Sequence, residues 1–441
     1  MAAKHALIDI LPLRSSPKFR RLWLGRTFSA IGSQMAVVAV MFQVWETTHS
    51  TLWTGALGLA QAVPIVAFGL FAGSLADRHD RRRLYLIANV GQAACSLLLA
   101  LQVLVGYLPV VAVLLLIAVQ SLFSAAGGPA ARTFIPRLVP TEQIAAALAL
   151  NRISFQAAML IGPTVGGLLI GWLGLNACYL VDGATFALAF LGAFSLPAMP
   201  PEGGVSRPGL RGVVDGLRYL GGNAPLRGAL LTDLAATVLS MPASLFPLIN
   251  AERFGGDPRT LGLFLTALAV GGVAASLLSG TFTRLPHPGL VMLFASAVWG
   301  VSMAVLGLSP NPWVGLGVLV LAGAADTVAV VSRGTVVQLS TPDAMLGRVV
   351  AAEQVTGQAG PDIGSMRAGL VAAATSGTFA LVSGGLLCLA VVALIGLSTP
   401  QLRRRTTELL PSGQQGANTE VEEATEDQPN TPGKRAAAPR P

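Results

Sequence analysis

The sequence predicts an all-α membrane protein of twelve transmembrane helices, built as two six-helix pseudo-repeats. Three observations carry that prediction. Of the 441 residues, 53% are hydrophobic and 11% charged, with a mean hydropathy of +0.66, which leaves too little polar surface to clothe a soluble domain. Charge-free runs such as Leu52–Ala76 extend for 25 residues, beyond the roughly 20 that cross a bilayer as a helix. The two halves also echo one another. RTFIPRLVPTEQ begins at Arg132, and RGTVVQLSTPDA begins 201 residues later at Arg333. GSLADRHDRRRL from Gly73 has a fainter copy, GTFTRLPHPGLV, from Gly280.

Apolar runs between polar or Gly/Pro breaks place spans 1–6 near 22–46, 52–76, 84–105, 109–131, 146–171 and 176–197. Spans 7–12 follow near 226–250, 259–283, 288–308, 313–334, 346–372 and 376–397. Residues 1–21 precede the first half (22–197), and 198–225, rich in Pro, Gly and Arg, link it to the second (226–397). Residues 398–441 change abruptly to Gln, Asn, Thr, Pro and acids, a composition expected to stay disordered. Glycines at helix-contact spacing, such as Gly162 and Gly166, suit close approach between helices in lipid.

Charge orients the chain. The amino-terminal tail, the even-numbered connections and the carboxyl tail hold 24 of the 29 Lys and Arg, with Arg333 and Arg348 assigned to the connection after span 10. The odd-numbered connections hold only Arg253, Arg259 and Arg367. The positive-inside rule then puts both termini and the 77–83 loop in the cytoplasm. Because the net charge of +8 sits in loops and tails, it does not imply nucleic acid. Three cysteines inside apolar runs and four scattered histidines imply no disulfide framework, metal site or cofactor. No phosphate-binding Gly-rich loop and no nucleophile–base pairing is present, so neither ATP hydrolysis nor an enzyme is expected.

Ionisable residues inside spans are costly and mark functional candidates. Asp326 lies deepest in span 10 and Asp233 about two turns into span 7; each either faces a pathway or pairs with a neighbouring helix. Arg26 in span 1 and Arg152 in span 5 are natural partners for such acids. Glu353 and Asp362 in span 11 are nine residues apart, on roughly opposite faces. Asp182 and Glu46 read as interfacial, and Trp23, Trp45, Trp53, Trp172 and Trp313 read as an aromatic belt.

GSLADRHDRRRL resembles the loop 2–3 signature of the major facilitator superfamily, with Gly73, Asp77, Arg78, Arg81 and Arg82 at its motif positions. Asp80 stands where the family has Gly, and a left-handed turn is expected there. GPTVGG, contributing Gly162, Pro163, Gly166 and Gly167, resembles the span 5 signature of antiporters, with Ala149 and Ala158 in place of its upstream glycines. THST (48–51), HPGL (287–290), TPDAMLGR (341–348) and VTGQAGPDIG resemble the enterobactin-exporter branch, so the resemblance spans about 17–405.

The resemblance implies a proton-driven exporter in a bacterial cytoplasmic membrane, working by alternating access as a monomer on a siderophore or drug-like small molecule. It also implies that Asp77 braces the interface between halves near span 11, and that spans 1, 4, 7 and 10 line the cavity. Span 4 lacks the arginine found in many drug/proton antiporters, so proton coupling rests on the family and not on a matching residue. A multidrug or macrolide exporter is the rival within the class, and a non-transporting receptor or scaffold the rival outside it.

Overall fold

The computed structural model describes residues 9–76, 79–200 and 210–404. Among them the secondary structure is helical, without strands. Ten helices are long and apolar enough to cross a membrane, and two further facts bring the number of spans to twelve. One helix, Ile144–Phe194, has 51 residues; it would rise about 75 Å, against a hydrocarbon core of about 30 Å. It is broken at Gly174 (φ 83°, ψ 171°), a left-handed geometry that glycine adopts without steric cost. The second fact is Asp343–Ala374, long enough to span but carrying five charged residues.

Spans 1–4 are Pro17–Thr48, Thr51–Ala76, Arg81–Val105 and Val110–Arg132, and spans 5 and 6 are the two arms of Ile144–Phe194. Span 7 comprises Ala224–Ser240 and Phe246–Phe254, interrupted at Met241–Pro242 where a proline removes a donor. Spans 8–12 are Pro258–Leu277, Pro288–Leu308, Pro312–Ser340, Asp343–Ala374 and Gly377–Ser398. Starts are marked by Ser, Asp or Asn caps, often followed by Pro in the first turn. Ser16, Asp257, Asn311 and Ser376 each accept a main-chain N–H from the first turn, at 2.8–3.2 Å.

Packing repeats between halves. Spans 3 and 6, 3 and 4, 2 and 4, 1 and 5, and 1 and 6 pair in the first half; 9 and 12, 9 and 10, 8 and 10, 7 and 11, and 7 and 12 pair in the second. Every pairing recurs six spans later. Between halves, span 2 meets span 11 and span 5 meets span 8, which the same symmetry relates. Both ends of the described chain lie at one end of the bundle, the terminus face; the opposite end is the far face. A separate helix, Leu210–Gly222, docks at the terminus face, where Leu220 is buried with Val337, Val349 and Ala352.

Candidate functional site

The charged loop after span 2 is described from His79 onward. Asp77 and Arg78 lie outside the described residues, and Gly73 lies within the span 2 helix. Asp80 does not adopt the expected left-handed turn: its backbone (φ −58°, ψ 115°) is that of a cap. Its Oδ1 accepts the N–H of Arg82 at 2.9 Å and of Met199 at 3.2 Å. Arg82 donates to the carbonyls of Ala193 and Phe194 and sits over the Phe194 ring, while the Arg81 N–H bonds Met199 O at 3.1 Å. The end of this loop therefore ties the start of span 3 to the end of span 6.

The span 5 glycines act on two seams. A Cβ on Gly166 would stand 2.9 Å from Met35 Cα of span 1, and one on Gly167 would stand 2.6 Å from Pro258 O of span 8. Gly162 faces Ile31 and Gln34, and Pro163 presents its carbonyl to Gly262. Thr164 and Thr266 share a 2.7 Å hydrogen bond across the halves. On the span 2/11 seam Thr51 donates to Gly369 O (3.0 Å), and beside it Thr54 donates to Ser244 O (2.8 Å), while Ser244 donates within the second half to Ser365 O (2.7 Å). These contacts belong to the far-face portions of the helices. Asp362 sits on that seam, its carbonyl 2.7 Å from where a Cβ on Gly58 would lie.

Within the second half, three spans bring an ion cluster together. Arg333 of span 10 pairs with Asp233 of span 7, and its Nε donates to Glu353 Oε1 of span 11 at 2.8 Å. The three side chains are only 12%, 10% and 19% exposed. Span 10 runs on to Ser340, so Arg333 is inside the bundle and not in the connection to which the charge count assigned it. Asp326 lies two turns earlier on the same face of span 10, exposed within the bundle and in the field of Asp233 and Arg333. Neither expected arginine joins the cluster. Arg26 lies beside Tyr85, and exposed Arg152 sits over the Phe155 ring at 5.9 Å. The spacing of seven between Asp326 and Arg333 was the available sign of a shared face.

The first half holds a different chemistry. A 170 Å³ cavity between spans 1, 2, 3, 4 and 6 is lined by Ser33, Gln61, Gln92, Gln120, Ser121 and Ser124, among others. Sequence reasoning missed it, although amides at mid-span in three successive helices were the available signal. Behind the cavity stands Asp182. It is not interfacial: it is 0% exposed, enclosed by spans 1, 3 and 4, because it faces Ser96 and not the lipid boundary.

The arginines that broke the charge rule are also accounted for. Arg253 donates to Leu306 O and Gly307 O (2.8 and 2.9 Å), Arg259 to Gly171 O, and Arg367 to Leu239 O. Each meets carbonyls at or near a helix carboxyl end, where the helix dipole favours a cation. Trp172 and Trp313 are exposed as a belt requires, but Trp45 is buried.

Comparison with known proteins agrees with this architecture. The profile of the transmembrane secretion effector family matches residues 9–428. The enterobactin exporter EntS of Shigella boydii serotype 18 is 30% identical over 397 residues, covering 88% of this chain and 95% of its own. EntS of Escherichia coli strain HS is 29% identical over the same shares. A POT family transporter in complex with 5-aminolevulinic acid superposes with a TM-score of 0.72 at 12% identity, over 88% of this chain and 97% of that one. An inward-facing bacterial homologue of ferroportin gives 0.65 at 16%, over 90% and 100%. With twelve spans in two repeats and a family match across nearly its whole length, the chain belongs to the transmembrane secretion effector family of the major facilitator superfamily.

Proposed function

We propose that this transporter exports an enterobactin-like siderophore, or a related small molecule, from the cytoplasm in exchange for protons by alternating access. The observation that carries the reading is its end-to-end likeness to enterobactin exporters, 95% of whose length it covers. The membrane is the bacterial cytoplasmic membrane, with both termini on the cytoplasmic side, as the basic asymmetry favours. The far face is then periplasmic, and its sealed glycine and hydroxyl seams correspond to an inward-facing state. The chain divides into a cytoplasmic segment (1–21), two six-helix halves (22–197 and 226–397), a linker and a tail, acting as a monomer.

The Gln- and Ser-lined cavity offers donors and acceptors without charge, suited to catechol hydroxyls and amides. At 170 Å³ it is smaller than the roughly 300–1,000 Å³ of a complete ligand pocket, so it takes one polar group of the substrate. The ion cluster supplies the coupling. Two carboxyls share one guanidinium and Asp326 lies in its field, so a proton entering or leaving Asp326 changes the balance that Arg333 holds.

The test is gradient-driven uptake into inverted vesicles, using a panel of catecholate siderophores and cationic drugs. Catecholate uptake that collapses with the proton gradient is the expected result. Uptake of the drugs alone would make the protein a multidrug exporter, and no uptake of either would make it a receptor or scaffold.

A further inference from the structure

The buried carboxyl of Asp182 has a hydrogen-bonding environment that serves both of its protonation states. Ser96 Oγ lies 2.6 Å from Asp182 Oδ2 and 3.1 Å from the carbonyl oxygen of Gln92, and it accepts from Gln120 Nε2 at 3.1 Å. A serine hydroxyl owns one proton and so cannot donate to both acceptors at once. If Asp182 is ionised, Ser96 donates to Oδ2. If Asp182 is neutral, its own O–H donates to Ser96, which turns its proton to Gln92 O without any heavy atom moving. Oδ1 is buried without a hydrogen-bond partner in either arrangement.

No cation fixes the charge. The titratable groups within electrostatic reach of Asp182 are Cys178 and Tyr179 of its own helix, with Tyr107 in reach of Tyr179. Cys178 and Tyr179 spend their donors elsewhere, on Met35 O (3.5 Å) and Gln43 Oε1 (2.7 Å). Span 1 presents Gly32, span 3 Ser96 and span 4 Gln120, all uncharged, and Arg26 of span 1 lies beside Tyr85. Among the described residues Asp182 has no ion pair. A structural carboxylate sealed in a membrane bundle is normally paired or fully hydrogen-bonded, and this one is neither.

We propose that Asp182 is a proton-binding site of the first half, reached from the Gln- and Ser-lined cavity through Ser96 and guarded by Gln120. Gln120 and Gln92 both line that cavity, and the Ser96 hydroxyl and the Gln120 amide stand between it and the acid. In uptake, a hydronium ion in the cavity gives a proton to Ser96 Oγ and is left as water, as the Ser96 hydroxyl proton passes to the ionised Oδ2; release is the reverse, one proton passing each way. A polar substrate group that engages Gln120 draws its amide from Ser96 and opens the route. The use of this site in transport rests on the antiport reading, but its existence does not.

The experiment is a pH titration followed by infrared difference spectroscopy. It uses the full-length protein in liposomes, without substrate or gradient, so a failed export assay leaves its outcome intact. Wild type should show a carboxylic C=O band that responds to pH, persists in Asp326→Asn and is lost in Asp182→Asn. Ser96→Ala should move that band to higher frequency, because its hydrogen-bond partner is gone. A band unchanged in Asp182→Asn overturns the proposal. If that variant is not recovered folded, an unmoved band in Ser96→Ala overturns it equally.

Discussion

Replacing Arg333 with methionine removes the one cation of the ion cluster while keeping most of its volume. Asp233 and Glu353 are then left facing each other from spans 7 and 11, 10% and 19% exposed. Asp233 is the worse placed, because its Oδ2 already lacks a partner. Removing one member of a buried pair costs about 3–5 kcal/mol. Glu353 is 19% exposed, so the lower end applies, about 3 kcal/mol or a roughly hundredfold loss in the folded ratio. The triple variant Asp233→Asn, Arg333→Met, Glu353→Gln leaves no orphaned charge and should return to within about 1 kcal/mol of wild type.

Thermal unfolding of the detergent-solubilised protein, followed by size exclusion, reads both variants. The single variant should lose its monodisperse peak well below the wild-type temperature, and the triple variant should recover it. Transport should separate from stability, with the triple variant folded but unable to concentrate substrate. If Arg333→Met is as stable as wild type, the cluster is solvated and the assignment of a sheltered ion network fails.

Asp326→Asn should abolish gradient-driven export while permitting substrate exchange, which needs no net proton movement; a variant that still concentrates substrate makes Asp326 structural. Asp77→Asn should impair export at unchanged membrane abundance, since a shift of about 1.4 kcal/mol between two states alters their ratio tenfold; normal transport would leave that acid a topology anchor. Gly167→Val should hold spans 5 and 8 apart, because its Cβ would meet Pro258 O, a main-chain atom that cannot yield. A cysteine placed at Thr164 should then become reactive to membrane-impermeant thiol reagents, and continued protection would count against the seam. Reporter fusions at Arg83 and Arg405 should both show cytoplasmic activity; periplasmic activity at either reverses the orientation.

The spans were legible in the sequence because lipid imposes length and apolarity on each helix separately, a one-dimensional constraint. What escaped was set by neighbours distant in sequence. Arg333 looked like loop because apolarity fades around it, yet the helix continues to Ser340 and two acids from other spans hold the charge. Asp182 looked interfacial from its place near a span end, but its surroundings come from spans 1, 3 and 4. Asp80 showed a departure from the motif and hid its use: it caps span 3 and ties that helix to Met199, a role set by the fold around the loop. The glycines of span 5 were legible as contact residues, whereas the division of Gly166 to span 1 and Gly167 to span 8 was not.

That division sets which external conditions can act on the far-face closure. Hydroxyl hydrogen bonds and bare glycine surfaces join the halves there, and among the described residues no ion pair crosses the seam. Ionic strength has little purchase on such a joint, and pH reaches it only through Asp362 beside Gly58. Bilayer thickness, lateral tension and temperature act on it directly, through the close fit of backbone against backbone. The same transporter reconstituted in thin and thick membranes should therefore differ in how long it dwells with its far face closed.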